Sequence, residues 1–463
     1  LLVDKCLFDN CFAGNKGGGV HVANGKFSML KSTFINNTAG SNNVESEEAI
    51  GEGGDLVVTA CVSSFDNVGV CGVNDSSFAH GFVARKGGSV ALATGFLGAS
   101  YMEFHRCEFH NSTAGISIED DPQGEGGVFS VGAGTTLVVV DSVVTEAYAG
   151  KKGGAIALSG GDDWVDDPGG IVILRNSTFA ESMAVRDTGG VIYCNERTVV
   201  TIAGNENNFL NNECGSDGAV LAATTATKVF VEGGNFVGNS ADEVSSWGAE
   251  GNGGVLWSMG DVTISDGLFV GNTASDGGGV FYASEQSIII VEGGTFGGEN
   301  EAQDGGVGFV SEGSRLFVNG GTFSGNVADN GGGAFYAEDN TTFVITGGIF
   351  SNNSADFGGF LYREGKGNTS CTGASIVNHT GVDGGAIYAV DEAELMWKCD
   401  LEMNSALVGP AIYARNDVNV ALQDVTLYDN SVSRGSVIFV VSSILRTYEV
   451  VFNDKSGSPD LSA

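Results

Sequence analysis

The sequence predicts an all-β fold: a single-stranded, right-handed parallel β-helix of ~15 coils, each of ~26 residues with three short strands. Three observations predict it. Apolar residues ahead of a turn fall at Phe269, Phe296, Phe323, Phe350, Ile376, Leu401, Leu427 and Phe452, 25 to 27 residues apart. The residue after a glycine pair falls at Val255, Val280, Val307, Ala334, Phe360, Ala386, Ala411 and Val437, with the same period. Finally, Gly is 74 of 463 residues while Pro is only 4, so glycine marks turns and not a collagen or disordered tract.

Each coil reads in order. "GGGAFYA" supplies a first strand, "TTFVIT" a second and "GIF" a third, and "SNNSADFGG" makes the long turn. The segments are too short for helices and alternate with period two. In the second strand Val229/Val231, Ile289/Val291, Leu316/Val318 and Phe343/Ile345 are expected to point inward. Phe230, Ile290, Phe317 and Val344 then point outward. The Phe of the third strand is expected to stack on its counterpart in the next coil. The Asn three residues later is expected to bond the coils above and below, as at Asn212, Asn239, Asn272, Asn326, Asn353, Asn404 and Asn430. Glu299 and His379 interrupt that ladder.

Upstream the same pattern runs with longer gaps, through Val20, Asp55, Ser89, Val128, Ala155, Val191 and Ala219. The excess lies in acidic, Gly-rich inserts such as "NNVESEEAIGEGG" and "IEDDPQGEGG". The expected organisation is one continuous β-helix over residues 1–463, with irregular coils in 1–254 and regular coils in 255–463.

In the first strand, the second residue after the glycine pair is nearly always large and apolar, so it faces the core. The next residue must face out. From the middle of the chain it is Tyr193, Leu221, Trp257, Tyr282, Phe309, Tyr336, Tyr362, Tyr388, Tyr413 and Phe439, and the run from Trp257 on is the candidate partner-binding surface. This predicts an exposed aromatic stripe. An outward apolar stripe marks a contact surface for another subunit or a glycan. Ring stacking that only stabilises the sheet is the other reading, and the sequence leaves both open.

Charge excludes one class of partner. Fifty-seven acidic residues stand against 21 basic ones, a net charge of −36, and such a surface repels phosphate backbones. No apolar run is long enough for a membrane-spanning helix. The chain opens without Met and already inside a repeat, as expected of a mature or partial chain. Eight N-x-S/T sequons, at Asn36, Asn74, Asn111, Asn176, Asn340, Asn352, Asn368 and Asn378, permit a secreted glycoprotein. Among nine cysteines, Cys6 with Cys11 and Cys61 with Cys71 are disulfide candidates by proximity in sequence.

The tetrapeptides "GGAI" at 153–156 and 384–387, with "FLNN", "FVGN", "FSGN" and "FSNN" between 209 and 353, resemble the repeats of the chlamydial polymorphic outer membrane proteins. The resemblance covers nearly the whole chain and implies β-helix coils. Bacterial members look like autotransported adhesins that end in a membrane β-barrel. This sequence has no such segment, so membrane anchoring is not carried over. Similar repeats occur in large secreted proteins of algae and other protists.

Parallel β-helices also carry pectate lyases and polygalacturonases, so a polysaccharide-active enzyme is the rival reading. Only "GDD" at 161–163 is similar to a hydrolase element, and no catalytic residue is nominated. Lys86, Lys151 and Lys152 precede glycine pairs and read as solvated turns. His105 and His110 lie near Cys107 without an orienting group. No cofactor is implied. Calcium is retained as a candidate ligand of Asp120, Asp121, Asp162 and Asp163, which offer hard oxygens. The reading is an extracellular or cell-surface structural or adhesive protein in a larger homo- or hetero-assembly, its open end coils covered by further sequence or by neighbouring subunits. A monomeric adhesin is the second rival.

Overall fold

The computed structural model describes all residues except 24, 41–50, 60–61, 64–66, 69, 94–99, 116–123, 161–168, 243–250 and 454–463. Among the described residues there is no helix, and the strands stack as a right-handed parallel β-helix. One short antiparallel pair, Val62–Ser63 with Asn67–Val68, departs from the parallel pattern. The chain divides into two compact units: Leu1–Asn235 with Asn239–Glu250, and Phe236–Gly238 with Gly251–Ala463.

A coil of the first unit runs Phe129–Val131, Thr135–Val140, Val143–Thr145 and Tyr148–Ala149. The first three strands are those expected. The fourth lies inside the segment read as a turn: two residues after the buried corner, which is Ala147 here and Ser182 in the next coil, pair with their counterparts, as Tyr148↔Met183 and Ala149↔Ala184. In the second unit the coil Phe335–Ala337, Thr341–Ile345, Ile349–Ser351 pairs in register with the next through Phe335↔Leu361, Phe343↔Thr369 and Phe350↔Ile376.

The glycine pair has two separate physical causes. Its first member needs a left-handed backbone, with φ +70° at Gly278 and +69° at Gly332, which glycine adopts without strain. Its second member packs against the neighbouring coil, so that a Cβ on Gly333 would run into the Gly359 carbonyl. In "DGAV" one glycine serves, and Gly218 takes the positive φ. The register then places Leu221 beside Ile192 and Ala222 beside Tyr193. Leu221 therefore faces the core, one position from where the sequence pattern sets it.

The inward alternation is as expected: Val229, Ile289, Val291, Leu316, Val318, Phe343 and Ile345 are buried. The Phe column stacks closely. Phe236, Phe269, Phe296, Phe323 and Phe350 follow one another at 4.7, 4.6, 4.6 and 4.8 Å between ring centroids, nearly parallel. Phe8, Phe34, Phe78 and Phe109 do the same at 4.5, 4.9 and 4.7 Å. Each such pair adds roughly 0.5–1.5 kcal/mol beyond its buried area.

The asparagine column is a fully buried polar seam. Asn353 shows how it works. Its Oδ1 accepts the Asn326 backbone N–H and the Asn326 side-chain amide, both at 2.9 Å, and its Nδ2 donates to the Phe323 carbonyl at 3.1 Å. One side chain thus satisfies three groups at a corner where the backbone cannot pair with itself. The expected interruption at Glu299 does not occur. Glu299 adopts φ +63° as an extra corner residue, and Asn300 enters the column, accepting from Asn272 at 3.0 Å and donating to Asn326 at 2.8 Å. His379 also belongs to the column: its Nδ1 accepts from Asn353 N–H at 3.3 Å, and Nε2 lies 3.1 Å from the Phe350 carbonyl.

Candidate functional site

The outer side chains of the first strand form one register-matched column in the second unit: Trp257↔Tyr282↔Phe309↔Tyr336↔Tyr362↔Tyr388↔Tyr413↔Phe439. From Tyr282 onward the centroid separations are 4.9, 4.7, 4.5, 5.1, 4.9 and 5.2 Å. The expectation of an exposed stripe needs correction. Phe309, Tyr336 and Tyr388 are buried, Tyr388 to 2% exposure, while Trp257, Tyr282, Tyr362, Tyr413 and Phe439 are half-buried. The cause lies in the turn ahead of the glycine pair, which folds over the column. Gly277 lies against Tyr282 and Phe309, Gly331 against Tyr362, and the Phe357 ring is 5.0 Å from that of Tyr388. From Tyr282 to Phe439 the rings also stack on one another, which turns mainly their edges toward solvent.

Carboxylates gather along the column. Tyr336 donates its phenolic proton to Glu364. Asp304 accepts from Gly331 N–H at 2.9 Å and from Asn330 at 3.0 Å, and burial pushes its pKa up to about 6. Burial, together with Glu364 and Glu312, pushes Glu338 up to about 7. At the same edge of the first unit the charges alternate from coil to coil. Lys16, Glu52, Lys86, Glu125 and Lys152 are bridged in sequence, with ion pairs of 2.7 Å for Lys16–Glu52 and 3.3 Å for Lys86–Glu125. Lys152 donates to the Tyr193 hydroxyl at 2.9 Å and lies 4.3 Å from its ring centre. Lys86 and Lys152 thus lie in the turns that the sequence suggested, part-exposed and paired with groups of the neighbouring coils.

The sequons occupy a recurrent place. Asn36, Asn111, Asn176, Asn340, Asn352 and Asn378 all adopt positive φ, between 49° and 60°. Asparagine is the residue that best tolerates that conformation after glycine. For Asn36, Asn111, Asn352 and Asn378 the buried corner after the third strand and the pairing residue beyond it supply the "x-S/T", as in Asn352-Asn353-Ser354, whereas Asn176 precedes the third strand and Asn340 the second. Asn36, Asn176, Asn340, Asn352, Asn368 and Asn378 are exposed, and Asn74 and Asn111 half-exposed.

The cysteines correct one expectation. Cys6 and Cys11 are both free thiols, at opposite ends of the strand Leu7–Asp9. Cys71 is disulfide-bonded, and Cys61 lies outside the described residues. Cys371 and Cys399 form a disulfide between adjacent coils, with Cα atoms 5.7 Å apart. Sequence proximity missed it, although a separation of 28 residues is close to one coil. Cys107 is buried, which pushes its thiol up to about 12, so it supplies no thiolate. His105 pairs instead with Glu103 on the outer face at 3.1 Å.

Among the described residues no group of three or more His, Cys, Asp or Glu side chains is arranged to hold a metal ion. The calcium candidates Asp120, Asp121, Asp162 and Asp163 lie outside the described residues. One open depression of about 690 Å³ is lined by Lys366, Asn368, Glu392, Glu394, Asp417 and Asn419. Lys366 and Glu392 pair across it at 3.2 Å, and it has no apolar wall.

Residues 320–338 match the Chlamydia polymorphic membrane protein repeat. They run from the turn ahead of Phe323, through the corner of Asn326, to the Tyr336 strand. One coil thus carries the Phe, Asn and aromatic columns together. The match supports a surface protein built from this repeat type. No helix among the described residues is long and apolar enough to cross a membrane. No curated protein and no solved structure matches the chain.

Proposed function

We propose that the chain is an extracellular structural element, a subunit of a larger surface assembly such as a filament, surface hair or wall layer. One observation carries this reading: the polar and aromatic residues that chemistry would use are consumed by contacts between coils. The asparagines satisfy backbone corners, the tyrosines stack, and the basic residues ahead of the glycine pairs form ion pairs. Such an arrangement supports a mechanical element better than a reactive cleft. Partner contacts are assigned to the half-exposed rims of Trp257, Tyr282, Tyr362, Tyr413 and Phe439, edge-on, with other protein subunits as the preferred partner and glycans second.

Negative-stain electron microscopy of the protein taken from its native source without denaturant tests the reading. Regular polymers or sheets are expected. Singly dispersed particles that release reducing sugars or unsaturated uronates from a polysaccharide panel overturn it in favour of the enzyme. Dispersed particles that only bind a surface overturn it in favour of the adhesin.

A further inference from the structure

The aromatic column holds four consecutive tyrosines, Tyr336, Tyr362, Tyr388 and Tyr413, and phenylalanine closes the run on both sides at Phe309 and Phe439. Their centroids are 4.5, 5.1 and 4.9 Å apart and their planes meet at 7°, 27° and 14°. We propose that this run is a site of oxidative tyrosine coupling, in which carbon–carbon bonds between neighbouring rings staple successive coils to one another.

Stacking alone needs no hydroxyl, since Phe309 and Phe439 stack in the same column with the same spacing. The four hydroxyls therefore add something that packing does not require. Stacking keeps each ring next to its partner, 4.5–5.1 Å between centroids; because the new bond lies in the plane of both rings, coupling requires a pair to tilt out of the stack until their ortho carbons meet. Tyr336 has a proton acceptor already in place, because its phenol donates to Glu364. Tyr362 and Tyr413 are half-buried, so the run can pass an electron to an oxidant at its rim while its remaining rings stay shielded from water.

The chemistry balances with hydrogen peroxide and a haem peroxidase as the oxidising system. Each of two adjacent tyrosines loses one electron to the peroxidase and its phenolic proton to a base, Glu364 in the case of Tyr336. The two radicals join through their ortho carbons. Both ortho C–H bonds then break as the rings regain aromaticity, and the phenols are re-formed. The net change is the loss of two hydrogens from the protein, and one peroxide is reduced to two waters. The product is a second covalent tie between neighbouring coils, of the same kind as the Cys371–Cys399 disulfide but immune to reductant. This inference does not depend on the assembly reading.

The test uses the full chain at high dilution with hydrogen peroxide and a haem peroxidase, read by dityrosine fluorescence and by mass spectrometry of digested peptides. The expected result is a chain that stays monomeric and yields peptide pairs joined between neighbours of this run, each pair lighter by two hydrogens. In the double variant Tyr362→Phe/Tyr388→Phe, Tyr336 and Tyr413 are each flanked only by phenylalanine. The stack is kept, and the intramolecular fluorescence is expected to vanish. Tyr282→Phe, between Trp257 and Phe309, is expected to change nothing. Equal yield from the double variant, or coupling confined to tyrosines outside the run such as Tyr101 or Tyr448, overturns the proposal. So does the absence of any joined pair.

Discussion

His379 stands in the asparagine column as a neutral imidazole, because its Nδ1 accepts a backbone N–H and so has no room for a second proton. Burial holds its pKa down to about 3. In the unfolded chain the ring takes up a proton near pH 6.5. The stability it supports is therefore fully present above that pH and is lost as pH falls toward 3. His379→Asn restores the repeat residue, and its urea midpoint is expected to fall less than that of the parent between pH 7 and pH 4. Asp55 works in the opposite direction. It is buried, its Oδ1 accepts from the Asn37 amide at 2.9 Å, and burial pushes its pKa up to about 7. The folded state then holds the proton more tightly than an unfolded aspartate does. Its contribution is complete below about pH 4 and is lost as pH rises through 7. Asp55→Asn is expected to remove that loss, so the variant gains on the parent at pH 8 and not at pH 4. Neither role was legible in the sequence: His379 read as a gap in the column and Asp55 as one more residue after a glycine pair. What the sequence lacked was the identity of the groups each side chain must satisfy in the coil beside it.

At the scale of the strand columns, periodicity carried most of the information. The Phe and Asn columns, the inward alternation and the membership of the aromatic column all follow from a fixed period. Exposure does not, because it depends on how the turn ahead of the glycine pair folds back, and that turn has no period of its own. Tyr388 is the sharpest case, predicted outward and found 2% exposed between Tyr362 and Tyr413. Tyr388→Ala is expected to cost about 3–5 kcal/mol, as removal of a buried ring does, whereas Tyr388→Phe costs under about 1.5 kcal/mol. Hydrogen exchange at the amides of the strands Leu361–Glu364 and Ile412–Arg415 reads the difference locally. Equal protection in both variants would mean that the column is an ornament on a sheet held by its backbone. The Cys371–Cys399 bridge belongs to this scale too. In a solenoid, neighbours in space lie one period apart in sequence, so a separation of 28 residues is a contact and one of five is not. Its reduction is expected to cost about 3–4 kcal/mol through loop-closure entropy, read as a lower denaturation midpoint in reductant.

At the scale of the whole molecule, two electrostatic effects compete. Ion pairs such as Lys16–Glu52 and Lys86–Glu125 stabilise the coils, and salt screens them. Exposed pairs of this kind are worth only about 0–1 kcal/mol each. Against them stands a net charge of −36; at Asp304 and Glu338 burial is the first cause of the raised pKa values, and neighbouring carboxylates add to it. Self-repulsion on that scale opposes the compact state and is screened by the same salt, since the Debye length falls from about 30 Å at 0.01 M to about 8 Å at 0.15 M. The larger effect is repulsion, so the melting temperature at pH 7.5 is expected to rise with sodium chloride across that range. A fall would show that the alternating lysine–glutamate edge dominates. The same balance bears on assembly. Copies of a chain this acidic repel one another at low ionic strength, so association through the edges of the aromatic column is expected to need salt or mildly acidic pH, where Asp304 and Glu338 take up protons. Sedimentation velocity across both variables checks this, and association that is strongest at low salt and neutral pH would place the contact on the basic residues instead.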